Sequence, residues 1–233
     1  MYLKSSIILF ALIAMLLIAC QYQPIALSER SIEQDFERVG VDSKGYELFI
    51  RAFKLEKEVE IWVKDKQKTK FELLRTYAIC KSSGKLGPKR KEGDKQVPEG
   101  VYFIDRFNPN SLFHLSLGLN YPNISDKIRG DQQQPGSDIF IHGACVSVGC
   151  LPLTDMLIEE VYALAEYAKE QGQQNIPVHI FPARMETKTF EQVAKKSSHQ
   201  AFWRELRPIY DFFEQKNKLP SIIIAQNGAY QVK

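Results

Sequence analysis

Between Tyr46 and Cys80 the chain alternates apolar and polar residues three times, and only short charged connections separate the runs. Tyr46 to Lys54 carries Leu48 and Ile50 in alternation. Glu58 to Lys64 carries Val59, Ile61 and Val63. Phe71 to Cys80 sets Leu73, Arg75, Tyr77 and Ile79 against Phe71 and Leu74. A period of two places each set on one face of a strand, and the short connections predict a three-stranded meander. Further strands are expected at Val101 to Phe107, after the turn Val97-Pro98-Glu99-Gly100, and at Leu112 to Leu119, after the turn Asn108-Pro109-Asn110. Two more follow, a short buried one at Ile139 to His142 and a last core strand at Val178 to Phe181. Tyr121 to Ser137 reads as a polar loop. Helical spacing marks Ser28 to Val39, with Ser28 or Ser31 as cap, and Thr154 to Glu170. The latter gathers Leu157, Val161, Leu164 and Ala168 on one face, with Thr154 placed to cap it. Thr189 to Ala194 and Gln200 to Glu214 read as helices. The expected class is mainly β with flanking helices (α+β).

The N-terminus points to export. Lys4 precedes an apolar stretch from Ile7 to Ala19, the length of a signal-peptide core and short for a bilayer span. It ends Leu17-Ile18-Ala19-Cys20, a pattern that resembles the bacterial lipobox, in which the cysteine is lipidated and becomes the mature N-terminus. Residues 1–19 are therefore expected to be a lipoprotein signal peptide and 20–57 a tether and N-terminal helix. A catalytic domain is expected over 58–185 and a helical C-terminal extension over 186–233. Gln21 follows Cys20, so the acidic inner-membrane retention signal is absent, and an outer-membrane anchor facing the periplasm is expected. The formal charge of +3 across 233 residues gives no nucleic-acid footprint.

Charge is concentrated in one loop. Lys81, Lys85, Lys89, Arg90, Lys91 and Lys95 lie in a Gly- and Pro-rich segment with Glu92 and Asp94. It reads as a solvated surface loop or, more sharply, as a basic lid for an anionic polymer. Beyond Cys20 the cysteines are Cys80, Cys145 and Cys150. An odd number outside the cytoplasm implies at least one free thiol, and a Cys145–Cys150 or a Cys80–Cys145 bridge is open. Cys145, beside Val146, is read as a small hydrophobe in a buried turn.

The chemistry concentrates in Ile141-His142-Gly143-Ala144-Cys145-Val146-Ser147-Val148-Gly149-Cys150. A cysteine nucleophile acts through its thiolate and needs a base or positive potential beside it. His142, at the end of a strand, is the expected base for Cys150. Gly143 allows the bend and Gly149 the close approach of substrate to backbone. N–H groups around Gly149 and Cys150 could form an oxyanion hole, and the helix start near Thr154 could favour the thiolate. Ser147 could orient the loop or meet the substrate.

These residues resemble the active site of the L,D-transpeptidase (YkuD-like) family, which sets His-Gly on one strand and Ser/Thr-x-Gly-Cys after it. Its compact branch reads His-Gly-x-Cys-x-Ser-x-Gly-Cys. The resemblance runs from about Glu58 through Arg184 and takes in Gly87-Pro88-Lys89, Pro98-Glu99-Gly100-Val101-Tyr102 and His179-Ile180-Phe181-Pro182. It implies a β-sandwich-like catalytic domain, no metal or other cofactor, and a thioester formed by Cys150 on a peptidoglycan stem peptide, with His142 moving the proton. An amine acceptor would make the enzyme a transferase that crosslinks stems or attaches a protein to the wall; water would make it a hydrolase. Lys85, Lys89, His179 and Arg184 are the candidate substrate-binding residues. His114 reads as structural and His199 as exposed. Two other classes are open. One is a zinc module built from His142, Cys145, Cys150 and His179, and the other is a peptidoglycan-binding lipoprotein without turnover.

Overall fold

The meander forms as the alternation predicts, but its first strand is buried on both sides. The computed structural model describes residues 31–233. Cys20, the apolar run before it and the tether lie outside the described residues. After α1 (Ile32–Val39), strands β1 (Tyr46–Phe53), β2 (Glu58–Asp65) and β3 (Glu72–Ala78) pair antiparallel in sequence. There follow β4 (Gly100–Ser111), β5 (His114–Leu119), α2 (Ile124–Arg129), β6 (Phe140–His142), β7 (Leu151–Pro152), α3 (Asp155–Glu170) and β8 (Ile176–Phe181). The chain closes with α4 (Lys188–Lys195), α5 (Gln200–Lys216) and a small hairpin of β9 (Ile222–Ile224) and β10 (Tyr230–Val232).

Eight strands join in one sheet in the order β3-β2-β1-β8-β4-β5-β6-β7. The late strand β8 slots between β1, to which it is parallel, and β4, to which it is antiparallel. That insertion makes β1 an interior strand, so both of its faces must be covered. Leu48, Ile50 and Ala52 join Val178, Ile180, Ile104, Leu117 and Ile141 in the larger core under α3, which contributes Ile158, Val161, Ala165 and Ala168. On the opposite face, Phe53 and Phe181 pack with Leu206, Ile209 and Tyr210 of α5, and Phe49 packs with Phe71 and Phe213. The fold is a mixed α+β arrangement with helices on both faces of a curled sheet, and residues 32–233 form a single unit.

Arg51 is the exception in β1, and its surroundings explain it. Its guanidinium bonds Glu60 at 2.7 Å and Glu214 at 2.6 Å and lies over the rings of Phe213, Phe53 and Trp62. A charge buried at this depth persists only when paired and fully hydrogen-bonded.

Several elements differ from expectation. Asn108-Pro109-Asn110 does not turn; β4 continues through it to Ser111, and the hairpin turn falls at Leu112-Phe113. The polar stretch after Tyr121 contains α2, started by a capping box in which Asn123 and Asp126 satisfy each other's backbone N–H groups. Thr154 makes no side-chain capping bond to α3. His114 is half-exposed and bonds Glu159 at 2.6 Å. His199 is half-buried, its ring tilted against Trp203 at 6.0 Å between centroids, rather than standing free. Among the described residues no helix is long and apolar enough to cross a membrane.

Candidate active site

Strands β6 and β7 are short, parallel and adjacent; His142 ends the first and Cys150 immediately precedes the second. Ile141 registers with Leu151, and His142 with Pro152. Cys150 therefore stands level with Phe140, and side-chain alternation puts it on the same side of this ladder as Phe140 and His142. Ile141 and Leu151 point the other way, into the larger core. The His142 carbonyl accepts from Leu153 N–H at 2.7 Å, which locks the end of β6 to the segment that follows Cys150.

His142 is buried, with Phe113 tilted against its ring at 4.8 Å between centroids. Its Nδ1 lies 2.6 Å from the Gly143 carbonyl. A carbonyl only accepts, so Nδ1 carries the proton and Nε2 keeps a lone pair. Burial lowers the His142 pKa below its ordinary 6.5, against the opposing pull of that carbonyl. The imidazole is thus held neutral, in the tautomer a general base requires.

Cys150 is the one free cysteine among the described residues. Burial raises its thiol pKa and Asp138 adds to this, while a backbone bond at Phe140 and the Lys89 ammonium pull it back. The S–H points to the Asp138 carbonyl at 3.7 Å. The two directions of shift favour a neutral thiol at Cys150 and a neutral imidazole at His142.

Gly143 and Gly149 are dictated by space and backbone. A Cβ on Gly143 would sit 2.7 Å from Asp155 Oδ1 and 3.0 Å from the Phe113 carbonyl. Gly149 has φ of +96°, which disfavours a side chain. Between them Ala144 and Cys145 both adopt positive φ, 64° and 47°, a costly conformation for residues with a Cβ. Two ties hold it. Asp155, in the first turn of α3, accepts from Ala144 N–H at 2.7 Å, and Cys145 is joined to Cys80 by a disulfide. The reading of Cys145 as a free small hydrophobe in a buried turn is corrected here, and the neighbouring Val146 is 44 % exposed. With Cys145 committed to Cys80, the zinc ligand set is not assembled.

The hydroxyl of Ser147 accepts from Cys150 N–H at 3.1 Å and donates to the Cys150 carbonyl at 2.8 Å; it shapes the backbone at Cys150. Gly149 N–H donates to Ser83 at 2.7 Å. Both expected oxyanion donors are thus engaged by serine hydroxyls. Ser83 went unnoticed in the sequence because nothing separates it from the other small polar residues of its loop.

The basic loop divides. Lys85 is exposed. Lys89 is buried, bonded to Asp94 and to the Lys91 carbonyl, and its charge reaches Cys150. Arg184 bonds Glu58 and Glu60 at 2.8 and 2.7 Å, so its guanidinium is engaged by two carboxylates of β2. His179 is buried against Phe49 and Phe181 on the α5 side of the sheet. The structure does not bring Arg184 or His179 together with His142 and Cys150.

Comparison with known proteins identifies the family. Residues 54–180, more than half the chain, match the YkuD model, described as the L,D-transpeptidase catalytic domain. The chain is 34 % identical over 224 residues to "Putative L,D-transpeptidase YafK" of Escherichia coli strain K12, covering 95 % of this chain and 88 % of that one. Among solved structures, the helical cell shape determining protein Pgp2 of Campylobacter jejuni aligns at a TM-score of 0.46 and 15 % identity over 84 % of this chain and 80 % of that one. Bd1075 of Bdellovibrio bacteriovorus aligns at 0.43 and 23 % over 72 % and 63 %. The family match over more than half the chain and the relative aligned along 95 % of it place this chain in the L,D-transpeptidase family.

Proposed function

We propose that the protein is a lipid-anchored envelope enzyme that transfers a peptidoglycan stem peptide through a thioester on Cys150. The observation that carries the reading is the fixed tautomer of His142, with Nδ1 committed to the Gly143 carbonyl and Nε2 left to take the thiol proton. As Cys150 Sγ bonds to the stem carbonyl carbon, the carbonyl π pair moves onto oxygen and His142 takes the proton. The C–N bond then breaks, the carbonyl reforms as a thioester, and His142 returns the proton to the leaving amine. A second amine, deprotonated by His142, displaces the sulfur and regenerates the thiol. The acceptor is an amine of another stem or of a wall-attached protein.

The test is mass spectrometry of muropeptides incubated with purified protein, with and without an amine acceptor. New amide-linked products are expected only with the acceptor. Products shortened by water regardless of acceptor would replace transfer with hydrolysis, and an unchanged pool would leave a binding protein. The anchor is tested separately. Fatty-acid labelling should be lost in Cys20→Ser, and the mature protein should fractionate with the outer membrane.

A further inference from the structure

The two N–H groups at the nucleophile both end on serine hydroxyls, and the serines differ in what becomes of their own protons. Ser147 accepts from Cys150 N–H and donates to the Cys150 carbonyl, so its proton is used within one peptide. Ser83 accepts from Gly149 N–H at 2.7 Å, and among the described residues it donates to no acceptor. The hydroxyl is half-buried, and the loop holding it is fixed. Lys85 N–H donates to Gln96 Oε1 at 2.8 Å, and the Gln96 carbonyl lies 3.2 Å from where a Cβ of Gly149 would be. Two carboxyl-terminal anchors of the same loop, Gly87 and Val97, give their carbonyls to Lys54 at 2.8 Å each.

An oxyanion needs donors about 2.7–3.1 Å from the position it will occupy, set before the reaction begins. Ser83 already stands at that distance from Gly149 N–H, where an oxyanion bound by that group would stand. We infer that Ser83 is a further catalytic residue of the acyl transfer, donating its O–H to the oxyanion while Gly149 N–H polarises it from behind. This rests on the reading of Cys150 as nucleophile. In such a chain each bond strengthens the next. Ser83 keeps its proton throughout: it is drawn toward the oxygen as the sulfur–carbon bond forms and released when the carbonyl reforms, while the proton that is transferred belongs to Cys150 and travels by His142.

Two reagents separate this role from simple support of the loop. A carbapenem acylates a thiol through a tetrahedral oxyanion, whereas iodoacetamide alkylates it by displacing iodide and forms none. Rates of both should be measured on the full chain, its Ser83→Ala variant and its Ser83→Thr variant, following mass at Cys150. Ser83→Ala should slow acylation by about 10²–10³-fold, the usual loss for one oxyanion donor, leave alkylation unchanged, and be largely rescued by Ser83→Thr. Equal acylation of parent and Ser83→Ala overturns the inference, as does a parallel fall with both reagents. A parent chain that alkylates at Cys150 but is never acylated refutes the nucleophile reading itself, so the two failures are distinguishable.

Discussion

The carbonyl of Gly143 lies 2.6 Å from Nδ1 of the histidine just before it, and this single contact fixes which nitrogen of His142 keeps its lone pair. Burial lowers the His142 pKa and raises the Cys150 pKa, so the pair rests uncharged. Reactivity should follow two separate titrations. Iodoacetamide alkylation of Cys150 should rise with a midpoint above 9.0, its ordinary value. The acid limb of carbapenem acylation should fall with a midpoint below 6.5, since His142 loses its lone pair only there. An alkylation rate that stays flat down to pH 5 would instead mean a standing thiolate–imidazolium pair.

His142→Ala should reduce acylation about 10²–10⁴-fold, the typical loss for a general base. His142→Gln should do the same while keeping the volume beside Phe113. Cys150→Ser should leave no measurable acylation, because a serine hydroxyl has a far higher pKa than a thiol. Near-parental acylation of Cys150→Ser would show that the acylated group lies elsewhere.

Breaking the Cys80–Cys145 bridge should lower stability by about 2–4 kcal/mol, as is typical of a bond closing a long loop, here of 65 residues. Cys80→Ala, Cys145→Ala and the double variant should melt at the same temperature, because each removes the same bond. Reductant should bring the parent to that temperature and leave the variants unmoved. Additive losses in the double variant would mean that the two sulfurs act independently.

Strands were legible where alternation and short connections coincide, as at Leu48-Ile50 and Val59-Ile61-Val63, because a period of two is a local property. The insertion of β8 between β1 and β4 was not legible, since it joins Ile50 to Val178 across most of the chain and no local pattern records that. The nearness of His142 and Cys150 was readable because only a short loop separates them and β6 and β7 pair at its two ends. Lys89 was not readable: in sequence it resembles the exposed Lys85, and only the fold shows that Asp94 and the Lys91 carbonyl draw it inward. The bond between Cys80 and Cys145 depends on β7 bringing the two loops together, with Cys80 N–H on the Pro152 carbonyl at 3.0 Å.

That division of the basic loop predicts unlike phenotypes for two lysines. Lys85→Ala should weaken binding to wall sacculi at low salt and lose the effect at high salt, as expected of an exposed charge. Lys89→Met should instead shift the Cys150 titration upward, because it removes a charge that holds the thiol down, and should lower stability by taking away the cation paired with Asp94. Equal, purely salt-dependent effects from the two variants would return Lys89 to the solvated surface.

His179 offers a test remote from the chemistry. Burial, aided by Arg51, brings its pKa down to about 3. Between there and the ordinary 6.5 the unfolded chain binds a proton that the folded chain refuses, so stability should fall as pH drops through this window, by up to about 1.4 kcal/mol per pH unit. His179→Leu should flatten the slope. An unchanged acid profile in that variant would assign the loss to the carboxylates instead.

Trp203 of α5 donates to Glu99 at 2.7 Å, and Glu99 in turn accepts from Gly87 N–H at 2.7 Å and pairs with Lys54 at 2.9 Å. Trp203 lies beyond the segment shared with the family as a whole, while Gly87 belongs to the loop that carries Ser83. Cys150 and His142 are therefore portable as sequence but not together with the support of their surroundings. A graft of residues 54–180 onto another protein would carry both and leave behind the indole that keeps the facing loop in place, so the loop beside Cys150 depends on a helix outside the matched segment.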